Sequence, residues 1–113
     1  MHEANITDSL LALAVEKASE AKANKITRIN LVVGELAGIV PDCVQFYFDV
    51  VSKGTLADGA MLNFEMKPTQ LRCRKCDKEF TPTTHDWTCP NCKEMSTEIV
   101  SGRECYMESI EVD

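Results

Sequence analysis

The sequence predicts an α+β fold, in which two helices are layered on a three-stranded sheet and a small subdomain is inserted before the last strand. Three observations carry this. Two stretches repeat apolar residues at helical intervals, and three others alternate or run apolar in the manner of strands. Between the last two strands, four cysteines in two CxxC pairs occupy a segment with few other residues from which to build a core.

Residues from about 3 to 23 read as an amphipathic helix. Ile6, Leu10, Leu13 or Ala14, Lys17 or Ala18, and Ala21 recur at i, i+3/i+4, with Leu11 and Val15 widening the stripe. Asn24 is a stop signal, and Glu3 and Asp8 place negative charge near the positive end of the helix dipole. Ile26 to Leu36 then reads as a strand, with Ile29, Leu31 and Val33 alternating with Arg28, Asn30 and Val32. Apolar character on both faces places it inside the sheet.

The Gly34–Gly38 segment breaks that strand, and Pro41 suits the first turn of a second helix. Val44, Phe48 and Val51 form its inward stripe with Tyr47 adjacent, and the Phe46/Phe48 region is expected in the core. Gly54 and Asp58-Gly59 supply turns. Leu62, Phe64 and Met66 alternate with Asn63, Glu65 and Lys67, which predicts a half-buried strand. Arg103 to Val112 reads as the last strand, with Tyr106, Ile110 and Val112 on one face, and its expected partner is the strand entering the cysteine segment. The predicted boundaries are 1–69 plus 100–113 for a discontinuous α/β domain and 70–99 for the insertion.

A chain of 113 residues is one domain's worth or slightly more. It is 44% hydrophobic and 27% charged, as expected of a folded protein. No run of roughly 18 apolar residues exists, so a spanning helix and a membrane role are not expected. The start lacks a basic region followed by an apolar stretch, so a cytoplasmic location is expected. Net charge is −6, yet residues 71–99 hold five basic and five acidic side chains, so the acidity belongs to the α/β part. That balance argues against nucleic acid as a partner. Arg72, Arg74, Lys75 and Lys78 are expected to form a solvated edge.

Cys73-Arg-Lys-Cys76 and Cys89-Pro-Asn-Cys92 stand twelve residues apart, a spacing that reads as a four-thiolate metal site. Each pair makes a tight turn that aims two sulfurs at one ion. Zinc is favoured, although four thiolates also suit iron. Segments below ~40 residues rarely fold without a metal, disulfides or a partner, so the ion would be structural and the insertion zinc-ribbon-like. His85 is expected to be a solvated loop residue, and Cys43 and Cys105 small buried hydrophobes. Glu35, beside a glycine turn, is either a partner contact or a solvated residue.

Met1-His2-Glu3 forms a second candidate. The free α-amine, the His2 amide nitrogen and the His2 imidazole Nδ1 can close fused chelate rings around one ion, with the Glu3 amide or carboxylate completing the set. Tetragonal, nitrogen-rich coordination suits Ni(II) or Cu(II). Taken alone, a histidine at position 2 is as readily an exposed residue of a frayed terminus.

In order and spacing these motifs resemble one family, the HypA nickel metallochaperones of hydrogenase maturation. The resemblance spans the whole chain. It runs through Met1-His2-Glu3, Val33-Gly34-Glu35-Leu36, Val40-Pro41 before a helix rich in Phe and Tyr, Cys73-x-x-Cys76, Cys89-Pro90-x-Cys92, and Ser101-Gly102-Arg103-Glu104. It implies a nickel-binding domain and a zinc domain, with transferable Ni(II) held by His2 together with Met1 and Glu3, and structural Zn(II) held by Cys73, Cys76, Cys89 and Cys92. It further implies delivery of nickel to the [NiFe]-hydrogenase large-subunit precursor, in cooperation with a GTPase partner, HypB. Some members carry histidines beside the second CxxC pair. Here Asn91 and Lys93 flank Cys92, which speaks against a urease role.

The expected function is therefore a metallochaperone and not an enzyme. The only histidines are His2 and His85, and no GxxxxGK[ST] loop is present. The alternatives are a zinc-ribbon protein- or nucleic-acid-interaction module without nickel transfer, and a rubredoxin-like electron carrier. A monomer or weak homodimer is expected.

Overall fold

The structure, a computed structural model, describes residues 3–83 and 86–113, without the side chains of Glu3 and Ala4. In chain order it contains α1 (Glu3–Glu20), β1 (Ile26–Gly34), a short 3-10 turn (Glu35–Ala37), α2 (Pro41–Val51), β2 (Met61–Lys67), β3 (Gln70–Cys73), β4 (Glu79–Phe80), β5 (Thr97–Ser101) and β6 (Cys105–Val112). The strands form two three-stranded sheets, ordered β2-β1-β6 and β4-β3-β5. The predicted α+β class, with two helices, a three-stranded sheet and a double-knuckle subdomain, is the one observed. No described helix is long and apolar enough to cross a membrane.

The chain separates into two compact units. One comprises residues 1–32, 39–65 and 106–113; the other comprises 33–38 and 66–105. The second unit thus takes in the 33–38 segment and extends beyond the 70–99 span drawn from sequence.

In the first unit α1 packs against α2. Among the described side chains of α1 the buried ones are Thr7, Leu10, Ala14 and Ala18, at helical spacing, and the alanines allow a close approach of backbone. Val44 and Phe48 face inward from α2, while Ile26, Ile29, Leu31 and Val32 of β1 are buried. The helix α1 ends at Glu20, and the residue that turns the chain out of it is Lys22 and not Asn24. Lys22 takes a left-handed conformation (φ 57°), the N–H of Ala23 donates to Ala18 O at 2.9 Å and that of Lys22 to Ser19 O at 3.0 Å. This paired capping closes the helix without glycine.

Two expectations are corrected here. Phe46 is 73% exposed, whereas Phe48 is fully buried. The two lie two residues apart and so on opposite sides of the helix. The last strand pairs with β1 and not with the strand entering the cysteine segment. The N–H of Gly34 donates to Glu104 O at 2.7 Å and that of Asp113 to Lys25 O at 2.9 Å, an antiparallel register. The apolar interior strand β1 needs a neighbour on each side, and β6 supplies the second. As an edge strand, β6 leaves Tyr106 and Val112 exposed, with Met107 and Ile110 half-buried.

An asparagine ladder pins this register on the polar face. Asn63 of β2 donates to Asn30 of β1 at 3.1 Å, and Asn30 donates to Ser109 of β6 at 3.0 Å. Beyond α2, the buried Ser52 Oγ has no hydrogen-bond partner among the described residues. A buried hydroxyl without a partner costs free energy that a methyl group does not. Ser52→Ala is therefore expected to stabilise the protein by about 1 kcal/mol, read as a raised urea midpoint with unchanged slope.

Candidate metal centre

The second unit is built on β3. Its residues alternate, with Leu71 and Cys73 buried and Gln70 and Arg72 partly exposed. Register places Leu71 opposite Phe80 on β4 and Ile99 on β5, and Arg72 opposite Glu79 and Glu98. One face is therefore apolar and the other ionic. Arg72 donates to Glu79 and Glu98 at 3.1 Å each, and lies 3.7 Å from Asp77. Those partners, the Glu79 hydrogen bond first, raise its pKa further above the ordinary arginine value. The basic cluster expected as a solvated edge is thus partly spent in neutralising its own sheet, with Lys75 also 4.0 Å from Glu94.

On the apolar face, the core consists of Leu71, Cys73, Phe80 and Cys89, against which Cys76, Cys92 and Ile99 pack. Trp87 and Met95, apolar in the sequence, are 41% and 79% exposed. Sulfur therefore supplies much of this core.

The two CxxC turns repeat one geometry. In the first, the N–H of Asp77 donates to Cys73 O and that of Cys73 to Lys78 O, both at 2.9 Å. In the second, the N–H of Lys93 donates to Cys89 O and that of Cys89 to Glu94 O, again both at 2.9 Å. Asp77 and Lys93, each one residue past its second cysteine, share φ 64°. This left-handed step closes both knuckles, and in sequence it was hidden because glycine would be the usual signal.

The four sulfurs lie within 4.8 Å of one another. Cys73 Sγ is 3.4 Å from Cys92 Sγ, and Cys76 Sγ is 3.6 Å from Cys89 Sγ. A tetrahedral ion with Zn–S bonds near ~2.3 Å requires sulfur separations of ~3.8 Å, so the donor set fits one zinc-sized cation. Backbone N–H groups point at the sulfurs as well, that of Cys76 reaching Cys73 Sγ at 3.5 Å.

The thiols have been driven apart in acidity. A hydrogen bond from the Lys78 backbone, followed by the Asn91 side chain, lowers Cys76 to about 6. At Cys92 the Glu94 backbone acts in the same direction but is outweighed by the Cys73 sulfur, burial and the remaining sulfurs, which push it up to about 12. A divalent cation among them would favour the thiolate at every position.

Four thiolates fill a tetrahedron, which makes this a closed site with no coordination position for a substrate. The other cysteines, Cys43 and Cys105, are both exposed and not buried as expected. Burial of part of its surface still raises the Cys105 thiol. The nickel candidates Met1 and His2, the Glu3 side chain, and His85 lie outside the described residues.

Sequence reasoning did not foresee how the short glycine motifs lock together within the second unit. Gly34 N donates to Glu104 O and Leu36 N to Gly102 O, each at 2.7 Å. Glu35 Oε1 accepts from Thr69 N at 2.6 Å, and Glu104 Oε1 accepts from Gly102 N at 2.7 Å. Glu35 is thus a structural clamp. Its own backbone hydrogen bond and that from Gly102 lower the Glu104 carboxyl below its ordinary value.

A two-helix α+β unit and a double-knuckle unit with four convergent cysteines define a metal-binding protein of bipartite build. The family described as "Hydrogenase/urease nickel incorporation, metallochaperone, hypA" matches residues 1–112. A hydrogenase maturation factor HypA from Dehalococcoides mccartyi is 50% identical over 113 residues, covering 100% of this chain and 95% of the relative. Another from Caldanaerobacter subterraneus is 39% identical, with 100% of both chains covered. Among solved structures, the solution structure of the Ni metallochaperone HypA from Helicobacter pylori superposes with a TM-score of 0.69 at 28% identity, over 99% of this chain and 97% of that one. A second, "Solution structure of HypA protein", gives 0.75 at the same identity, over 99% and 96%. The chain belongs to the HypA family of hydrogenase maturation metallochaperones.

Proposed function

We propose that the protein binds Ni(II) at its N-terminus and delivers it to the large-subunit precursor of a [NiFe]-hydrogenase, with zinc as a structural ion and no catalytic step of its own. The family match over residues 1–112 carries this reading. The ligands proposed for nickel are the Met1 amine, the His2 amide nitrogen and imidazole Nδ1, and Glu3. The helix α1 begins at Glu3, and the first four N–H groups of a helix have no intrahelical acceptor. Deprotonating an amide there breaks no helical hydrogen bond, and the positive end of the dipole suits the anionic donor set.

Zinc held by Cys73, Cys76, Cys89 and Cys92 supplies charge and cross-linking to the second unit. Without a Walker A loop in the chain, nucleotide hydrolysis falls to a HypB-like GTPase. The setting is the cytoplasm, with the protein a monomer or weak homodimer. Asn91 and Lys93 in place of histidines beside Cys92 favour hydrogenase over urease as recipient.

Nickel titration of untagged protein tests the proposal. Equimolar binding is expected, and it collapses in His2→Ala and when residues are appended before Met1. Retained affinity in both variants refutes the N-terminal site. Binding weakens on acidification, because the imidazole (pKa ~6.5) and the α-amine (~7.7–8.0) must shed protons to bind. The purified protein should be colourless; visible iron–thiolate absorption would favour an electron carrier instead.

A further inference from the structure

The outward face of α2 is apolar where solvent-facing helix surface is ordinarily polar. Cys43, Phe46 and Val50 follow one another at i, i+3 and i+7 on this face. Phe46 is 73% and Val50 53% exposed, and Cys43 is exposed as well. The opposite stripe, Val44 and Phe48, already fills the core, so the apolar residues outside are a surplus over what packing needs. Asp42 and Asp49, again i and i+7, run along one margin of the exposed stripe. Asp49 is held in place by the Gln45 amide at 2.8 Å, and Gln45 in turn accepts from Leu62 N at 2.9 Å.

We propose that this face of α2 is a docking surface for a cationic amphipathic helix of a protein partner, with Phe46 as the anchor and Asp42 and Asp49 as the charge rim. Anchors at i, i+3 and i+7 are the pattern by which helices are recognised through one apolar side, and a large aromatic group ringed by polar residues is the usual centre of such a contact. The sign of the rim selects the partner. The whole −6 charge lies outside residues 71–99, so the field around α2 reinforces its two aspartates. A second copy of this chain fits poorly. Antiparallel two-fold pairing of the stripe with itself brings both acidic margins to the same edge, and parallel pairing aligns two helix dipoles. This inference does not rest on nickel binding, and its test needs no metal.

The probe is a synthetic helical peptide with leucine at i, i+3, i+4 and i+7 and lysine and arginine elsewhere, titrated into 15N-labelled full-length protein. Its twin carries glutamate at the basic positions. The cationic peptide is expected to shift amide signals of Asp42 to Val50, more strongly at low salt, and the twin is not. Phe46→Ser should weaken binding about tenfold or more, and the double variant Asp42→Lys/Asp49→Lys should reverse the preference between the peptides. All three side chains are exposed, and far-UV circular dichroism verifies that the variants stay folded. The proposal is overturned if neither peptide binds, if both bind alike, or if Phe46→Ser changes nothing. It is equally overturned if sedimentation shows a dimer that Phe46→Ser dissolves, which would make the occupant a second copy.

Discussion

Cys89→Ser is expected to unfold the second unit while Cys43→Ser leaves the protein essentially unchanged. Both substitutions exchange one sulfur for oxygen, so the contrast isolates position from chemistry. Cys89 is completely buried, its N–H and C=O close the second knuckle, and its sulfur meets that of Cys76. Cys43 is exposed on α2, where substitutions usually fall within about 0.5 kcal/mol. Among the described residues the sulfur-lined core holds only Leu71, Phe80 and Ile99 besides the cysteines, so metal bound there would contribute folding free energy. Structural zinc sites contribute roughly 10–16 kcal/mol in this way, against a total stability of about 5–15 kcal/mol for a domain. Removal of zinc by a chelator should reproduce the Cys89→Ser state. The expected signature is collapse of amide dispersion for residues 66–105 with signals from α1 and α2 retained. Acid should favour release, because sulfur binds as thiolate and protons compete for it. A chelated protein that kept its β3, β4 and β5 amide pattern would refute the structural role.

The sequence was most legible where period and burial coincide. The apolar character of both faces of Ile26 to Leu36 was enough to place β1 inside its sheet, and the CxxC spacing was enough to bring four sulfurs within 4.8 Å. Elsewhere a local signal has no unique reading. Phe46 and Phe48 look alike in composition, and only the phase of α2 against α1 separates the exposed ring from the buried one. The partner of β6 depended on topology, which short-range pattern does not encode. β4 spans only Glu79–Phe80, too short to show alternation, and β5 reads as part of a loop until Arg72 is seen between Glu79 and Glu98. Glycines and glutamates in the two short motifs were visible as residues but not as partners, because the contacts that join them to other segments span from 34 residues (Glu35 to Thr69) up to the distance between Gly34 and Glu104.

Gly34→Ala is expected to cost about 4 kcal/mol or more, beyond the ordinary range for a point substitution. The reason is space and not backbone conformation. Gly34 has φ −81° and ψ 152°, an extended geometry open to any residue. A Cβ at this position would overlap the carbonyl carbon and oxygen of Gly102 outright and stand 2.6 Å from Arg103 N. These are backbone atoms, and they are pinned. Gly102 O accepts from Leu36 N, Gly102 N donates to Glu104 Oε1, and Glu104 O accepts from Gly34 N. Relief of the clash therefore breaks several hydrogen bonds together, where a flexible side chain would simply turn aside. Gly59→Ala provides the opposite control. It meets nothing within 4 Å but has φ +82°, so it should lose only the ~1 kcal/mol of left-handed strain. The depressed Glu104 carboxyl belongs to the same lock, and a carboxyl lowered on folding lends stability at neutral pH that is lost as pH falls through its folded-state pKa. Urea titrations of the two variants at neutral and acidic pH read both effects. Equal losses for Gly34→Ala and Gly59→Ala would show that the two chain segments do not meet as closely as the structure places them.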